Sequence, residues 1–118
     1  MSDSLEALRQ EVLRFRDARA WSRFHTPKNL AMAIGVESAE LSELFLWKDD
    51  AEVAEALARP DFREKVSHEM ADVLVLLLTM SESVGLDLAA ALRAKLEVNG
   101  AKYPVEKSYG RATKYDAL

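Results

Sequence analysis

The chain contains no cysteine, which removes disulfides, zinc–thiolate centres and thiol catalysis from consideration. Nothing in it matches G-x-x-x-x-G-K-[ST], so no glycine loop is present to cradle phosphates. Its longest apolar run, Val73 to Leu78, is far too short to cross a bilayer. No positively charged, apolar leader opens it either: "MSDSLEALRQEVLRF" is amphipathic and of mixed charge, and a cytoplasmic location is expected. The net charge of −4 gives no support to general nucleic-acid binding. Neither a nucleic acid nor a membrane is expected as a partner.

Glycine occurs four times and proline three times among 118 residues, and they fall where helix punctuation belongs. Residues 3–20 read as a first helix, with Leu5, Leu8, Val12 and Phe15 on one side. "WSRFHTPKN" breaks it, and Thr26-Pro27 makes a good N-cap and first position for a second helix, 27–47. "KDDAEVAEALARP" has room for a short helix. Pro60-Asp61 opens a long helix to about Val84, stopped by Gly85. Asp87 can cap the last helix, roughly 88–100, ending at Asn99-Gly100. Residues 101–118 show no sustained period and read as an extended tail. No convincing strand alternation occurs. With 49% hydrophobic and 31% charged residues, the composition is that of a folded chain. The expected architecture is all-α: a single domain over residues 1–118, of four-helix-bundle type with a basic C-terminal tail.

Two helices then present a problem. At about 100° per residue, Glu37 shares its face with Leu30, Ala33, Ile34, Leu41 and Leu44, and Glu40 lies on the flank of that stripe. Glu43 falls on the opposite, watery side. In "FREKVSHEMADVLVLLLTM" Glu69 shares a face with Phe62, Val66, Val73, Leu76 and Met80, with Asp72 one turn further along. An i, i+3 spacing stacks two side chains on one side of a helix. If the two apolar faces pack together, four carboxylates converge, and burying them without a partner costs several kcal/mol each. Hydrogen bonding or a water-filled groove would satisfy a single glutamate. For two such pairs a divalent cation is the natural partner, and an all-oxygen ligand set points to Mg²⁺ or Mn²⁺.

Di-iron bundles also gather carboxylates, but with Glu-x-x-His on two helices, and neither motif here ends in histidine. His68 points about 100° away from Glu69, and His25 has a loop or capping role by default. The tail adds four cations (Lys102, Lys107, Arg111, Lys114) against two acids (Glu106, Asp116), and Lys95 lies just upstream. Beside a carboxylate metal site, such a tail suits a ligand with several phosphates.

These residues resemble a known family. "ESAELSELFLW", "EMADVLVLLL" and "KLEVNGAKYP", joined to Trp21, "FHTPKNL", Trp47 and "SYG..TKY", are similar to the MazG-like all-α nucleoside triphosphate pyrophosphohydrolases. Within them, the dCTP pyrophosphatase branch is the nearest likeness. The resemblance implies Mg²⁺-dependent hydrolysis of a nucleoside triphosphate to the monophosphate and pyrophosphate, by water attacking the α-phosphorus. It implies that Glu37, Glu40, Glu69 and Asp72 hold the metal, one of them orienting or deprotonating the water. Lys95, Asn99, Lys102 and Tyr103 would meet phosphates and sugar, with Lys114 of the tail also on the substrate. Trp21 and Trp47 would line the base pocket, core packing being the other reading for both.

Two positions depart from that branch, Val12 where a histidine is expected and Leu76 where a tyrosine is. The preferred base, the number of metals and the carboxylate that activates water stay open. Two other readings remain: a non-catalytic helical module with an acidic face, and a phosphoribosyl-ATP pyrophosphohydrolase. Finally, Val73 to Leu78 cover every direction around the third main helix, so that helix must be surrounded. A homo-oligomer is expected, a dimer or a dimer of dimers from the packing argument, and the resemblance points toward a tetramer.

Overall fold

The computed structural model describes residues 4–118, so the expected helix start at Asp3 lies outside the described residues. Helix α1 spans Leu5–Asp17, and the Ser4 hydroxyl caps it by accepting from the Ala7 N–H at 3.2 Å. It ends three residues earlier than expected. Ala20 takes φ +53°, a left-handed conformation that no α-helix can continue through. A 3₁₀ turn at Ser22–Phe24 follows.

Helix α2 spans Pro27–Glu43, with Pro27 in its first turn and the Asn29 N–H donated to Thr26 Oγ1 at 3.2 Å. The expected extension to Trp47 is instead a series of turns, and Trp47 itself sits at φ +64°. Asp49 caps α3 (Asp50–Leu57), accepting from the Glu52 N–H at 2.8 Å. Helix α4 runs over Pro60–Val84, 25 residues, and stops at Gly85, whose φ of +69° is a conformation only glycine adopts without strain. Asp87 caps α5 (Leu88–Lys102). This helix runs past Gly100, since a lone glycine costs a helix only about 1 kcal/mol, and it closes with the Tyr103 N–H on the Asn99 carbonyl at 2.8 Å. The tail departs from the extended form expected of it: α6 (Val105–Ser108) is one helical turn and Tyr115–Ala117 a 3₁₀ turn. No strand occurs among the described residues.

The chain divides into two compact units, Met1–Gly85 and Leu86–Leu118. In the first, α4 is the hub. It packs most extensively along α2, and also against α1 and α3. Leu13, Leu30, Ala56, Phe62 and Leu78 form the buried core, and Phe45 meets Phe62 edge-on at 5.8 Å. Two buried hydroxyls satisfy themselves on the α4 backbone: Thr79 Oγ1 donates to the Val75 carbonyl and Ser81 Oγ to the Leu78 carbonyl. Arg9 ties α1 to α4, donating to Glu6 on its own helix and to Glu82.

The expectation that α4 is surrounded on all sides is not met by the chain alone, because Met70, Leu74, Val75 and Leu77 stay exposed. In the second unit, Tyr115 of the tail folds against the end of α5. It meets Tyr103 edge-on at 6.0 Å, and the Lys102 ammonium lies 4.7 Å from its ring centre. Among the described residues, no single helix is long and apolar enough to cross a membrane.

Candidate metal centre

The α2–α4 packing turns two sequence patterns into one site. On α2, Leu30 is buried, and Ala33, Ile34, Leu41 and Leu44 are half-buried, so the stripe containing Glu37 faces inward as its period requires. On α4, Phe62 is buried and Val66, Val73, Leu76 and Met80 are half-buried around Glu69. Glu43 is exposed, on the side expected to face water.

Glu37, Glu40 and Glu69 each direct one carboxylate oxygen into a group whose members all lie within 4.8 Å of one another. Glu37 and Glu69 are half-buried and Glu40 is exposed. The Oε2 atoms of Glu37 and Glu69 are buried and have no hydrogen-bond partner. None of the ion pairs among the described residues reaches any of the three.

Such crowding acts on protons. Glu37 is pushed up to about 7, first by loss of solvation, then by a hydrogen bond shared with Glu40, then by the charges of Glu40, Asp72 and Glu69. A cation competes with protons for carboxylate oxygens. Orphaned, buried carboxylate oxygens on two helices therefore fit a hard divalent cation, and the donor set is all oxygen. The fourth predicted ligand, Asp72, is exposed and outside the 4.8 Å group, though near enough to raise Glu37 electrostatically.

Asp72 also lines a cleft of about 470 Å³ between α1 and α4, walled by Leu8, Val12, Phe15, Leu74, Val75 and Leu78. The apolar side of α1 read from its period thus lines an open, mostly apolar cavity, with Glu11 beside it. Phe15 meets Trp21 edge-on at 6.0 Å, and the Arg19 guanidinium lies over the Phe15 ring at 3.6 Å. Sequence reasoning missed Glu11, Phe15 and Arg19 as neighbours of the site. The available signal was a cation set among aromatics in "FRDARAW".

Neither tryptophan is core. Trp21 is 44% exposed and Trp47 90% exposed, the latter in a left-handed turn four residues beyond the end of α2. Leu76, the second departure, is half-buried on α4. Lys95, Asn99, Lys102, Tyr103 and Lys114 all belong to the second unit. Lys95, Lys102, Tyr103 and Lys114 are exposed and Asn99 half-buried.

A family model described as MazG-like matches residues 32–118, which include all four acids of the two motifs. The chain belongs to the MazG-like family. It is 38% identical to dCTP pyrophosphatase 1 of Rattus norvegicus and 34% identical to dCTP pyrophosphatase 1 of Homo sapiens, each over 98% of this chain and 68% of that protein. Among solved structures it resembles a pyrophosphatase from Archaeoglobus fulgidus, with 39% identity, a TM-score of 0.79, and coverage of 88% of this chain and 95% of that one. The all-α reading and the family resemblance both hold at this level. Val12 and Trp21 lie outside residues 32–118 of the model match, though inside the region shared with most of the rat and human proteins.

Proposed function

We propose that this chain is a nucleoside triphosphate pyrophosphohydrolase, cleaving a triphosphate to the monophosphate and pyrophosphate, with the whole of residues 1–118 acting as one MazG-like functional domain. The observation that carries the reading is the Glu37–Glu40–Glu69 group, crowded within 4.8 Å, short of a basic partner, and leaving two buried oxygens unsatisfied. A purely acidic interaction face would keep its carboxylates in water, whereas Glu37 and Glu69 are half-buried.

Glu37, Glu40, Glu69 and Asp72 are the residues that would hold Mg²⁺, or Mn²⁺ in its place. When bound, the cation neutralises the triphosphate and stabilises the departing pyrophosphate. One carboxylate of the group orients a water molecule and accepts its proton as the water oxygen bonds to the α-phosphorus. The bond from that phosphorus to the bridging oxygen breaks, and pyrophosphate leaves. Positioning and charge neutralisation supply most of the catalysis in such transfers.

Lys95, Asn99, Lys102, Tyr103 and Lys114 meet the phosphates and sugar. Trp21 and Trp47 serve the base, and the α1–α4 cleft beside Asp72 offers it an apolar wall. Val12 and Leu76 place aliphatic groups where the dCTP branch has polar ones, so the preferred base need not be cytosine. The exposed apolar residues of α4, Met70, Leu74, Val75 and Leu77, support a homo-oligomer, dimer or tetramer, that covers them.

The deciding experiment is a panel of canonical and modified nucleoside triphosphates, scored with and without Mg²⁺ for pyrophosphate and for orthophosphate. Pyrophosphate from at least one member, only with the metal, is the expected result. Orthophosphate with a nucleoside diphosphate as the primary products would overturn the reading.

A further inference from the structure

Lys102 carries a charge that no carboxylate among the described residues neutralises: none of their ion pairs includes it. Its ammonium nonetheless lies over an aromatic ring, 4.7 Å from the centre of Tyr115. The same ring takes the edge of Tyr103 at 6.0 Å and an interplanar angle of 85°. One tail aromatic, 12 residues beyond Tyr103 in sequence, therefore grips two consecutive residues at the end of α5. Tyr115 can do so because it opens the 3₁₀ turn Tyr115–Ala117, where the Ala117 N–H donates to the Lys114 carbonyl at 2.9 Å.

A ring face attracts an ammonium without consuming its N–H donors, which stay available to an anion. Holding a long, flexible side chain in one place before binding also lowers the entropy lost when the anion arrives. We propose that Tyr115 is a positioning residue: it pre-orders Lys102 and Tyr103 for the phosphate groups of the substrate. This rests on the reading above that the two residues meet phosphates. It explains why a tail without helical period returns to α5 at all.

The test pairs Tyr115→Leu, which removes the ring, with Tyr115→Phe, which keeps it. Three quantities are read on the full-length chain. The Lys102 ε-methylene proton shifts, in lysine-labelled protein, report the ring directly. Calorimetry gives the affinity for inorganic pyrophosphate with Mg²⁺. Kinetics on dCTP, or on the best substrate of the panel, give KM and kcat separately.

The expected pattern is an upfield ring-current shift at Lys102 that Tyr115→Leu abolishes and Tyr115→Phe retains. With it goes a loss of pyrophosphate affinity of about two- to fivefold in the leucine variant only, the size of an exposed cation–π contact. KM should rise by about the same factor with kcat unchanged. The proposal falls if pyrophosphate affinity is unchanged while the ring shift is lost. It falls equally if both variants weaken alike, if wild type shows no ring shift, or if it binds no pyrophosphate. If no triphosphate is hydrolysed but pyrophosphate affinity still follows the ring, the hydrolase reading fails and the positioning role stands.

Discussion

Glu37 on α2 and Glu69 on α4 bring carboxylate oxygens within 4.8 Å of each other, and each buries its Oε2 without a hydrogen-bond partner. Like charges brought together at a helix interface are unfavourable in the metal-free chain.

Glu40→Gln removes one charge from the group at an exposed position. Without metal its thermal midpoint should equal that of wild type or exceed it by up to about 5 °C, since stability shifts of this order accompany relief of repulsion in a small domain. Adding Mg²⁺ should raise the wild-type midpoint, by linkage, and raise the variant's far less. Turnover should fall by at least about 10- to 100-fold, the loss that even an outer-shell partner of a metal ligand causes. A large drop in metal-free stability with activity intact would make the carboxylates structural.

The proton on Glu37 sets a pH dependence. Its folded value is raised from 4.5 to about 7, so the folded chain binds the proton more tightly than the unfolded chain does. The resulting stabilisation is fully present below 4.5 and is lost as pH rises through about 7. Thermal melts of the metal-free protein between about pH 5 and 8 should therefore decline, and Glu37→Gln should flatten that decline. Mg²⁺ competes with the same proton, so its affinity should climb across the same interval. A metal affinity independent of pH there would contradict the assignment of Glu37 as a ligand.

Much of this is legible in the sequence. Thr26-Pro27, Pro60 and Gly85 mark helix ends at their sequence positions because caps and breakers act locally. The 3.6-residue period placed Glu37 and Glu69 inward for the same reason. What the period cannot convey is how far apart two helices stand. That is why α1, whose Leu8, Val12 and Phe15 read as one apolar side, lines an open cleft, and why Asp72 stands at that cleft, outside the 4.8 Å group yet close enough to act on Glu37. The turns at 44–47 were missed because good helix formers continue past Glu43, and a left-handed tryptophan is set by its surroundings and not by propensity. The Tyr115 contact spans 12 residues of tail from Tyr103 and left no periodic trace.

Trp47 offers a separation of stability from function. It is 90% exposed at φ +64°, a conformation that costs a non-glycine residue about 1 kcal/mol. Trp47→Gly should leave stability unchanged or raise it by up to about 1 kcal/mol. If the indole serves the base, KM for the preferred triphosphate should rise about tenfold, the scale of one lost aromatic stacking contact. Denaturant titration and steady-state kinetics check the two halves. A marked loss of stability with KM unchanged would assign the side chain to packing.

Val12→His would place an imidazole in the α1–α4 cleft that Val12 shares with Asp72. Preference for dCTP over dTTP, measured as a ratio of kcat/KM values, should rise by about tenfold, the range of a single directed hydrogen bond to a charged or polar group. An unchanged ratio would separate this cleft from base recognition.

The exposed apolar residues of α4, with Met70 at 57% and Leu74 at 40%, call for cover. Light scattering at micromolar concentration should give a particle that is a multiple of the 13.2 kDa chain. Met70→Glu should shift it toward the single-chain mass. A monodisperse single-chain particle with full activity would defeat the oligomer argument.

The most direct measurement of the central claim is the fate of the attacking oxygen. Hydrolysis of the preferred triphosphate is run with Mg²⁺ in ¹⁸O-labelled water, and the products are separated and weighed by mass spectrometry. Attack at the α-phosphorus requires one labelled oxygen in the nucleoside monophosphate and none in the pyrophosphate. Label in pyrophosphate or orthophosphate, with the monophosphate unlabelled, would contradict the account.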